Sequence, residues 1–411
     1  MDHDEIEVPS HFLCPISMQL MRDPVTVSTG ISYDRESIEK WLFSCKNKVC
    51  PVTKQDLSDS SGLTPNHTLR RLIQAWCTIN APNGIERIPT PKSPINKSQI
   101  LKLIDQAKIS SKSQIKCLKS LVSIAQGSQS NKKCLESAGV IEFLASIIKK
   151  NEDSDFKFIA NEEALNVLHH MDLSDIELKK LMGSGDGDGG SFIDSLIQIS
   201  KFGNYRSRAY SITLLKSIFS VADHLQLINS RSEYFVAIVS ILRDQISEQA
   251  SKASLKLLME LCPWGRNRIK AVGAGAVRVL IELLLEISDR RTNELILMVL
   301  DQLCRCAEGR SELLKHAAGL AVVSKKIFRV SHVASDRAVR ILSSISKYSA
   351  TSRVLQEMLQ VGVVAKLCLV LQVDSSHKTV ERSKEILSLH SRAWKDSPCI
   401  PSHLLSFYPS S

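Results

Sequence analysis

Long apolar runs are missing from this 411-residue chain. A membrane-spanning helix needs about 18 or more uninterrupted apolar residues. The best candidate, Ala271 to Ile287, is broken by Arg278 and Glu282, so no span is expected. The amino end, Met1 to Glu7, is acidic where a secretory signal would be basic and then apolar. Framework spacing of cysteine is missing too. The 11 cysteines are an odd number scattered through helical-looking sequence, which argues against a disulfide scaffold and for reduced, buried thiols. These absences point to a cytoplasmic protein, with the nucleus as a second location. Aromatic residues are scarce at 5%, and they are not interleaved with the basic ones. Direct nucleic-acid binding is therefore not expected, despite a net charge of +10. Residues 1–80 hold 8 Lys/Arg against 10 Asp/Glu, so the basic excess lies beyond them, at 45 against 33. It suits a solvated surface or an acidic partner.

What is present fits a globular protein, 43% hydrophobic and 23% charged. The length exceeds the roughly 250–300 residues at which a single core stops growing. A break falls between Asn80 and Ser98, where Pro82, Pro89, Pro91 and Pro94 sit in a Lys/Ser-rich setting that cannot propagate a helix or a central strand. The expected organisation is a module over 8–80, a linker over 81–97, helical repeats over 98–393 and a tail over 394–411.

The repeats show as a glycine followed eight and nine residues later by an apolar pair. Gly139 precedes Ile147-Ile148, Gly275 precedes Leu283-Leu284, Gly319 precedes Ile327-Phe328, and Gly362 precedes Val370-Leu371. Degenerate copies fit at Ser232 and near Gly190, with a glycine-rich loop over 183–190 absorbing one overlong step. Asn131 and Asn267 stand at equivalent positions of two copies. The spacing, roughly 43–44 residues, matches armadillo or HEAT units. Val277, Leu280, Ile281 and Leu284 put one apolar stripe on a helix. The expected class is mainly α: a small α+β module, then an α-solenoid.

Residues 10–76 read differently. A loop-rich, partly β segment is followed by a helix over Tyr33 to Leu42, with Asp34 as its N-cap and Ile38, Trp41 and Leu42 on one face. A second helix starts at Asn66 as its cap, with Leu69, Leu72, Ile73 and Trp76 facing inward. Cys14-Pro15-Ile16-Ser17 and Cys50-Pro51-Val52-Thr53 look like two Cys-x-x-Cys knuckles that have lost their second cysteine. A cross-braced two-zinc RING spacing laid over the module puts its ligand slots at Cys14, Ser17, Thr29, Ile31, Asp34, Ser37, Cys50 and Thr53. Two thiolates among eight slots cannot close a zinc site that wants four Cys/His ligands. A RING-like scaffold without metal or cofactor, braced by hydrogen bonds, is the expectation.

These motifs, with Met21-Arg22-Asp23-Pro24-Val25, Gly30-Ile31-Ser32-Tyr33-Asp34-Arg35 and Asn66-His67-Thr68-Leu69-Arg70, resemble the U-box of plant E3 ubiquitin ligases, and the repeats resemble the armadillo region of the same family. Wording such as Pro51-Val52-Thr53-Lys54-Gln55-Asp56 is similar to the subgroup concerned with immune and stress signalling. The resemblance implies a ligase that forms no covalent bond to ubiquitin. It docks a ubiquitin-charged E2 and holds the thioester for attack by a substrate lysine, which is catalysis by proximity and orientation. No nucleophile is then needed, and no Ser/His/Asp triad or reactive cysteine is evident. By motif position the implied E2 contacts are Ile16, Trp41, Leu42, Pro51 and Lys54. Cys14, Asp34, Arg35, Ser37 and Cys50 are the implied structural residues, the two cysteines as small buried apolar thiols. The repeats are expected to recruit a protein substrate on their concave face, and U-boxes can pair into homo-oligomers. The competing reading is a non-catalytic armadillo adaptor; a nuclear-import carrier is disfavoured by the near-absence of Trp in the repeats.

Other features carry less. Cys304 and Cys306 lack partners for a zinc site and suit helix packing. Asp186 and Asp188 lack the bidentate Glu of a calcium loop. His169-His170 reads as surface, and Asn66-His67-Thr68 matches a glycosylation acceptor without secretory context.

Overall fold

The computed structural model describes residues 8–44, 47–57, 63–83, 85–86, 95–149, 155–182, 189–373, 376–394 and 397. Most of the 81–97 linker, the 183–188 loop with Asp186 and Asp188, and nearly all of the 394–411 tail lie outside them. Two compact units are present: residues up to 143 with 170–172, and 144–169 with 173 onward.

The first unit opens on a small antiparallel sheet. β1 (Pro24–Thr26) pairs with β2 (Ser32–Asp34), Val25 opposite Tyr33, and with β3 (Thr64–Pro65) on its other side, Val25 opposite Pro65. α1 (Arg35–Glu39) leaves β2 directly, and α2 (His67–Ile79) follows β3. Their core is Val25, Tyr33, Ile38, Ile73, Met21 and Cys77, together with Cys14 and Cys50. So small a core supplies little stability alone, so the polar bracing described below matters.

Three expectations are corrected in this unit. The first helix is shorter than Tyr33–Leu42 and widens over Lys40–Ser44 into a π turn, a form common at functional sites. Asp34 sits at the N-cap but makes no side-chain cap bond, because its carboxylate is engaged elsewhere. Asn66 does cap α2, accepting from Leu69 N at 3.0 Å, but Leu72 is 53% exposed. The buried stripe is Ile73 and Cys77 flanked by Leu69 and Trp76, and at 100° per residue Leu72 falls off its edge.

α3 (Lys97–Ala107) and α4 (Ser111–Ala125) pack together and precede the repeats. The repeats then run in triplets. They are α5 (Gln129–Ser137), α6 (Val140–Lys149) and α7 (Asp155–His170); α8 (Asp175–Met182), α9 (Gly189–Phe202) and α10 (Tyr205–Ser220); α11 (His224–Ile228), α12 (Ser232–Asp244) and α13 (Glu248–Leu261). Next come α14 (Gly265–Gly273), α15 (Ala276–Glu286) and α16 (Arg290–Leu303); α17 (Ala307–Lys315), α18 (Gly319–Lys326) and α19 (His332–Tyr348); α20 (Ser352–Gln360), α21 (Val363–Val370) and α22 (His377–Leu389). α23 (Ser391–Trp394) closes the described part, its Trp394 buried with Nε1 donating to Leu355 O at 3.1 Å.

In the second unit the long helices α10, α13, α16, α19 and α22 pack one on the next. An N-cap recurs before each, at Asn204, Ser247, Asp289, Ser331 and Ser376, accepting from the third helical amide. The sequence period reappears as bonds between neighbouring repeats: Asn267 Nδ2 to Leu227 O (2.7 Å), Ser344 Oγ to Cys304 O (2.8 Å) and Lys366 Nζ to Ser324 O (2.6 Å). This nearest-neighbour bonding is the organisation of a solenoid. Gly139, Gly275 and Gly362 hold left-handed φ of +74°, +84° and +73° at the turn before the second helix of a triplet. Gly319 differs from the expected turn role: it starts α18, and a methyl there would run into the Leu313 carbonyl.

Candidate functional site

The two Cys-Pro knuckles fold into nearly identical loops. Cys14 N donates to Gln19 O (2.8 Å) and Met18 N returns to Cys14 O (2.8 Å); Cys50 N donates to Gln55 O (2.8 Å) and Lys54 N to Cys50 O (3.0 Å). The fifth residue of each is left-handed, Met18 at φ 55° and Lys54 at φ 60°. Bridges between Leu13 and Leu20 and between Val49 and Asp56 close their bases.

Adjacent residues of β2 hold the two loops. Asp34 N donates to Cys14 Sγ at 3.3 Å. The Tyr33 hydroxyl accepts Val52 N–H at 3.4 Å, which leaves its own proton for Cys50 Sγ, 3.0 Å away. Thr29 Oγ1 donates to the same sulfur at 3.4 Å. Burial raises the Cys50 thiol, but hydrogen bonds from Thr29, Thr53 and Tyr33 outweigh it and bring the group down to about 6. At Cys14 burial again raises the thiol, but hydrogen bonds from Ser17, Asp34 and Ile16 outweigh it and leave a net lowering. Burial and the neighbouring Cys50 push Tyr33 up. The contacts therefore sort as a cross-brace, Cys14 with Ser17 and Asp34, Cys50 with Thr29 and Thr53. Both thiols are fully buried as expected, but they are hydrogen-bond hubs rather than apolar filler. Ile31 packs against the core, and the Ser37 hydroxyl has no partner among the described residues.

A second polar layer locks the loop before β1. Asp34 Oδ1 accepts from Arg22 N (2.8 Å) and Asp23 N (2.9 Å), while Arg35 Nε binds Asp23 Oδ2 at 2.6 Å and Arg70 approaches Asp23 Oδ1 at 3.7 Å. Glu39 is buried beside Arg35, 3.9 Å away; burial raises its carboxyl, opposed by Arg35 and by the amides of Ser130 and Gln129. Among the described residues no group of three or more His, Cys, Asp or Glu could hold a metal ion.

The implied E2 contacts lie around these loops. Ile16, Trp41 and Leu42 are half-buried against the core, Pro51 is half-buried, and Lys54 is exposed. Trp41 Nε1 donates to Val49 O at 2.9 Å, tying the π turn to the base of the second loop. Three exposed apolar residues of these loops were not singled out from the sequence: Val52 (52%), Met18 (71%) and Val49 (38%). Val52 fills in the second loop the place of Ile16 in the first, a correspondence already present in Cys-Pro-Ile-Ser and Cys-Pro-Val-Thr. Thr29, Tyr33 and Asp23 were also missed as bracing residues; only the ligand-slot overlay marked Thr29. Asn66 Nδ2 is occupied by Ser32 Oγ (3.2 Å) and Thr26 Oγ1 (3.4 Å), so it is no free acceptor for a sugar.

Residues 8–81 match the U-box domain, and residues 99–410 match the plant U-box protein ARM repeat region. The chain belongs to the plant U-box family of E3 ubiquitin-protein ligases. It is 54% identical over 409 residues to E3 ubiquitin-protein ligase PUB23 of Arabidopsis thaliana, covering 99% of this chain and 98% of that protein. E3 ubiquitin-protein ligase PUB22 of the same plant is 51% identical, with 99% of each covered, and PUB24 is 35% identical, with 98% and 97% covered. In this family context the hydrogen-bonded cross-brace is the U-box scaffold, and the triplets are its armadillo repeats.

Elsewhere, Cys304 is buried in helix packing and Cys306 half-buried, and burial pushes both thiols up. His169 is exposed and stacks on Tyr210 at 4.0 Å between ring centres.

Proposed function

We propose that the ligase docks its ubiquitin-charged E2 on a face formed by Ile16, Trp41, Leu42, Pro51 and Lys54, extended by Val52, while the armadillo repeats recruit the protein substrate. The observation that carries this reading is the state of Trp41. Its indole N–H is already satisfied by Val49 O, yet the ring is only half-buried. It is an aromatic side chain fixed by that bond and still partly open to solvent, the kind of residue on which interfaces concentrate binding energy. Holding the charged E2 in one orientation then supplies the rate by proximity. A role in immune or stress signalling, a cytoplasmic or nuclear location, and pairing of U-boxes belong to the same proposal. The test is autoubiquitination by the full chain with a panel of E2 enzymes. Trp41→Ala should lose activity with every E2 that supports the unchanged chain; full activity would remove Trp41 from the face.

A further inference from the structure

Asp301 lies on the last turn of α16 with its side chain 5% exposed. Three guanidiniums converge on its Oδ2: Arg340 Nε at 2.8 Å, Arg337 NH1 at 2.9 Å and Arg305 NH2 at 3.8 Å. One arginine would satisfy a buried aspartate and join α16 to α19. Two more leave the cluster with a surplus of two positive charges. Arginine cannot shed its proton, so titration cannot relieve the surplus. Among the described residues none of the three has a second carboxylate within ion-pair distance. The nearest carboxylate in sequence on α19, Asp336, is taken up by Arg382 (2.8 Å) and Thr379 (2.8 Å). Arg337 Nε is buried without a partner. The cluster is nevertheless open to solvent, with Arg305 46% exposed and Arg337 and Arg340 26% each.

We propose that Arg305, Arg337 and Arg340 form a binding site for the phosphoryl group of a phosphorylated serine or threonine in a protein substrate. A phosphoserine carries about −1.5 to −2 charges at neutral pH, which matches the surplus, whereas a glutamate would cancel only half of it. Guanidinium forks also fit phosphoryl oxygens in bidentate pairs. Asp301 keeps the forks in place when the site is empty and fixes where the anion sits. The assignment names a substrate class for the repeats and rests on the reading that they recruit substrate.

The test uses the full chain labelled with 15N-arginine, titrated with the blocked peptide Ala-phosphoserine-Ala and with its serine and glutamate counterparts at equal ionic strength. The phosphopeptide should shift arginine side-chain resonances saturably. Those resonances should be absent or unresponsive in Arg305→Gln and Arg340→Gln. The glutamate peptide should bind at least about fivefold more weakly, and the serine peptide not at all. Arg305→Gln leaves Asp301 with its two close partners, so its thermal melt should be unchanged and a loss of binding there is not a loss of fold. No saturable shift, equal binding of the glutamate peptide, or unchanged binding by Arg305→Gln would each overturn the site. Ubiquitin transfer is not read, so such a failure leaves recruitment by the repeats standing; that reading fails instead if the repeats capture no substrate.

Discussion

Tyr33 and Cys50 meet hydroxyl to thiol at 3.0 Å inside the U-box core, 17 residues apart in the chain. The bond takes over work that a second metal ion would do in a RING: it ties the sheet to the second Cys-Pro loop. Asp34, one residue on, ties the same strand to the first loop through Cys14. The module therefore has two sulfur-centred braces that share one dipeptide.

That arrangement makes the second loop sensitive to pH. The Cys50 thiol is lowered from 9.0 to about 6 in the folded protein. Its contribution to stability is full above the unfolded value and is lost as pH falls through the folded one. Hydrogen exchange of peptide 49–56 in the full chain, corrected for the intrinsic effect of pH, should show opening become easier from pH 9 to 6. Cys50→Ser, which does not titrate, should flatten that dependence; an unaltered slope would mean that another group is responsible.

Val52 lets the proposed docking face be tested apart from the core. It is 52% exposed, so Val52→Asp should change stability by no more than about 0.5 kcal/mol. If the face takes in Val52, E2-dependent autoubiquitination should fall at least about tenfold, the equivalent of 1.4 kcal/mol of docking energy. Stability and transfer measured on the same preparation decide it, and unchanged transfer would confine the face to Ile16, Trp41, Leu42, Pro51 and Lys54.

The repeat period and the knuckles were legible because they rest on glycine, proline and cysteine, whose backbone or chemical roles are narrow. The caps at Ser247, Asp289, Ser331 and Ser376 carried the same period in plainer form, but serine and aspartate are too common elsewhere to stand out unaided. Asp34 was placed correctly at the start of α1 and given the wrong partner. A cap bond is local, whereas its bonds to Arg22 and Asp23 arise only when the loop before β1 folds back. The π turn at Trp41 was illegible for a similar reason: helical spacing in Ile-x-x-Trp-Leu looks the same whether the last turn has 3.6 residues or more. The arginine cluster on Asp301 joins residues brought together only by the packing of one repeat on the next.

α2 offers a check on how far periodicity reaches. Leu72 and Ile73 are neighbours of equal volume and both belong to the apolar pattern, but Leu72 is 53% exposed and Ile73 only 1%. Ile73→Ala should cost about 2–5 kcal/mol. Leu72→Ser should stay within about 0.5 kcal/mol. Protection of the α2 amides against hydrogen exchange in the full chain reads both, and equal losses would contradict the exposed placement of Leu72.

The glycines that revealed the repeats divide by mechanism, and alanine substitution separates them. Gly275 needs its φ of +84°, but the nearest atom to an added methyl is Arg243 NH2 at 3.9 Å, so Gly275→Ala carries only the left-handed penalty of about 1–2 kcal/mol. Gly319 has an ordinary backbone but no room, because the methyl would overlap the Leu313 carbonyl and α17 would have to move away from α18. Overpacking of that kind typically costs about 1–3 kcal/mol, and more when backbone rather than side chain must yield. Gly319→Ala should therefore lower the thermal midpoint of the full chain further than Gly275→Ala and raise hydrogen exchange in α17 and α18, while Gly275→Ala should disturb only its own turn. The reverse order would mean that φ, not contact, fixes glycine at 319.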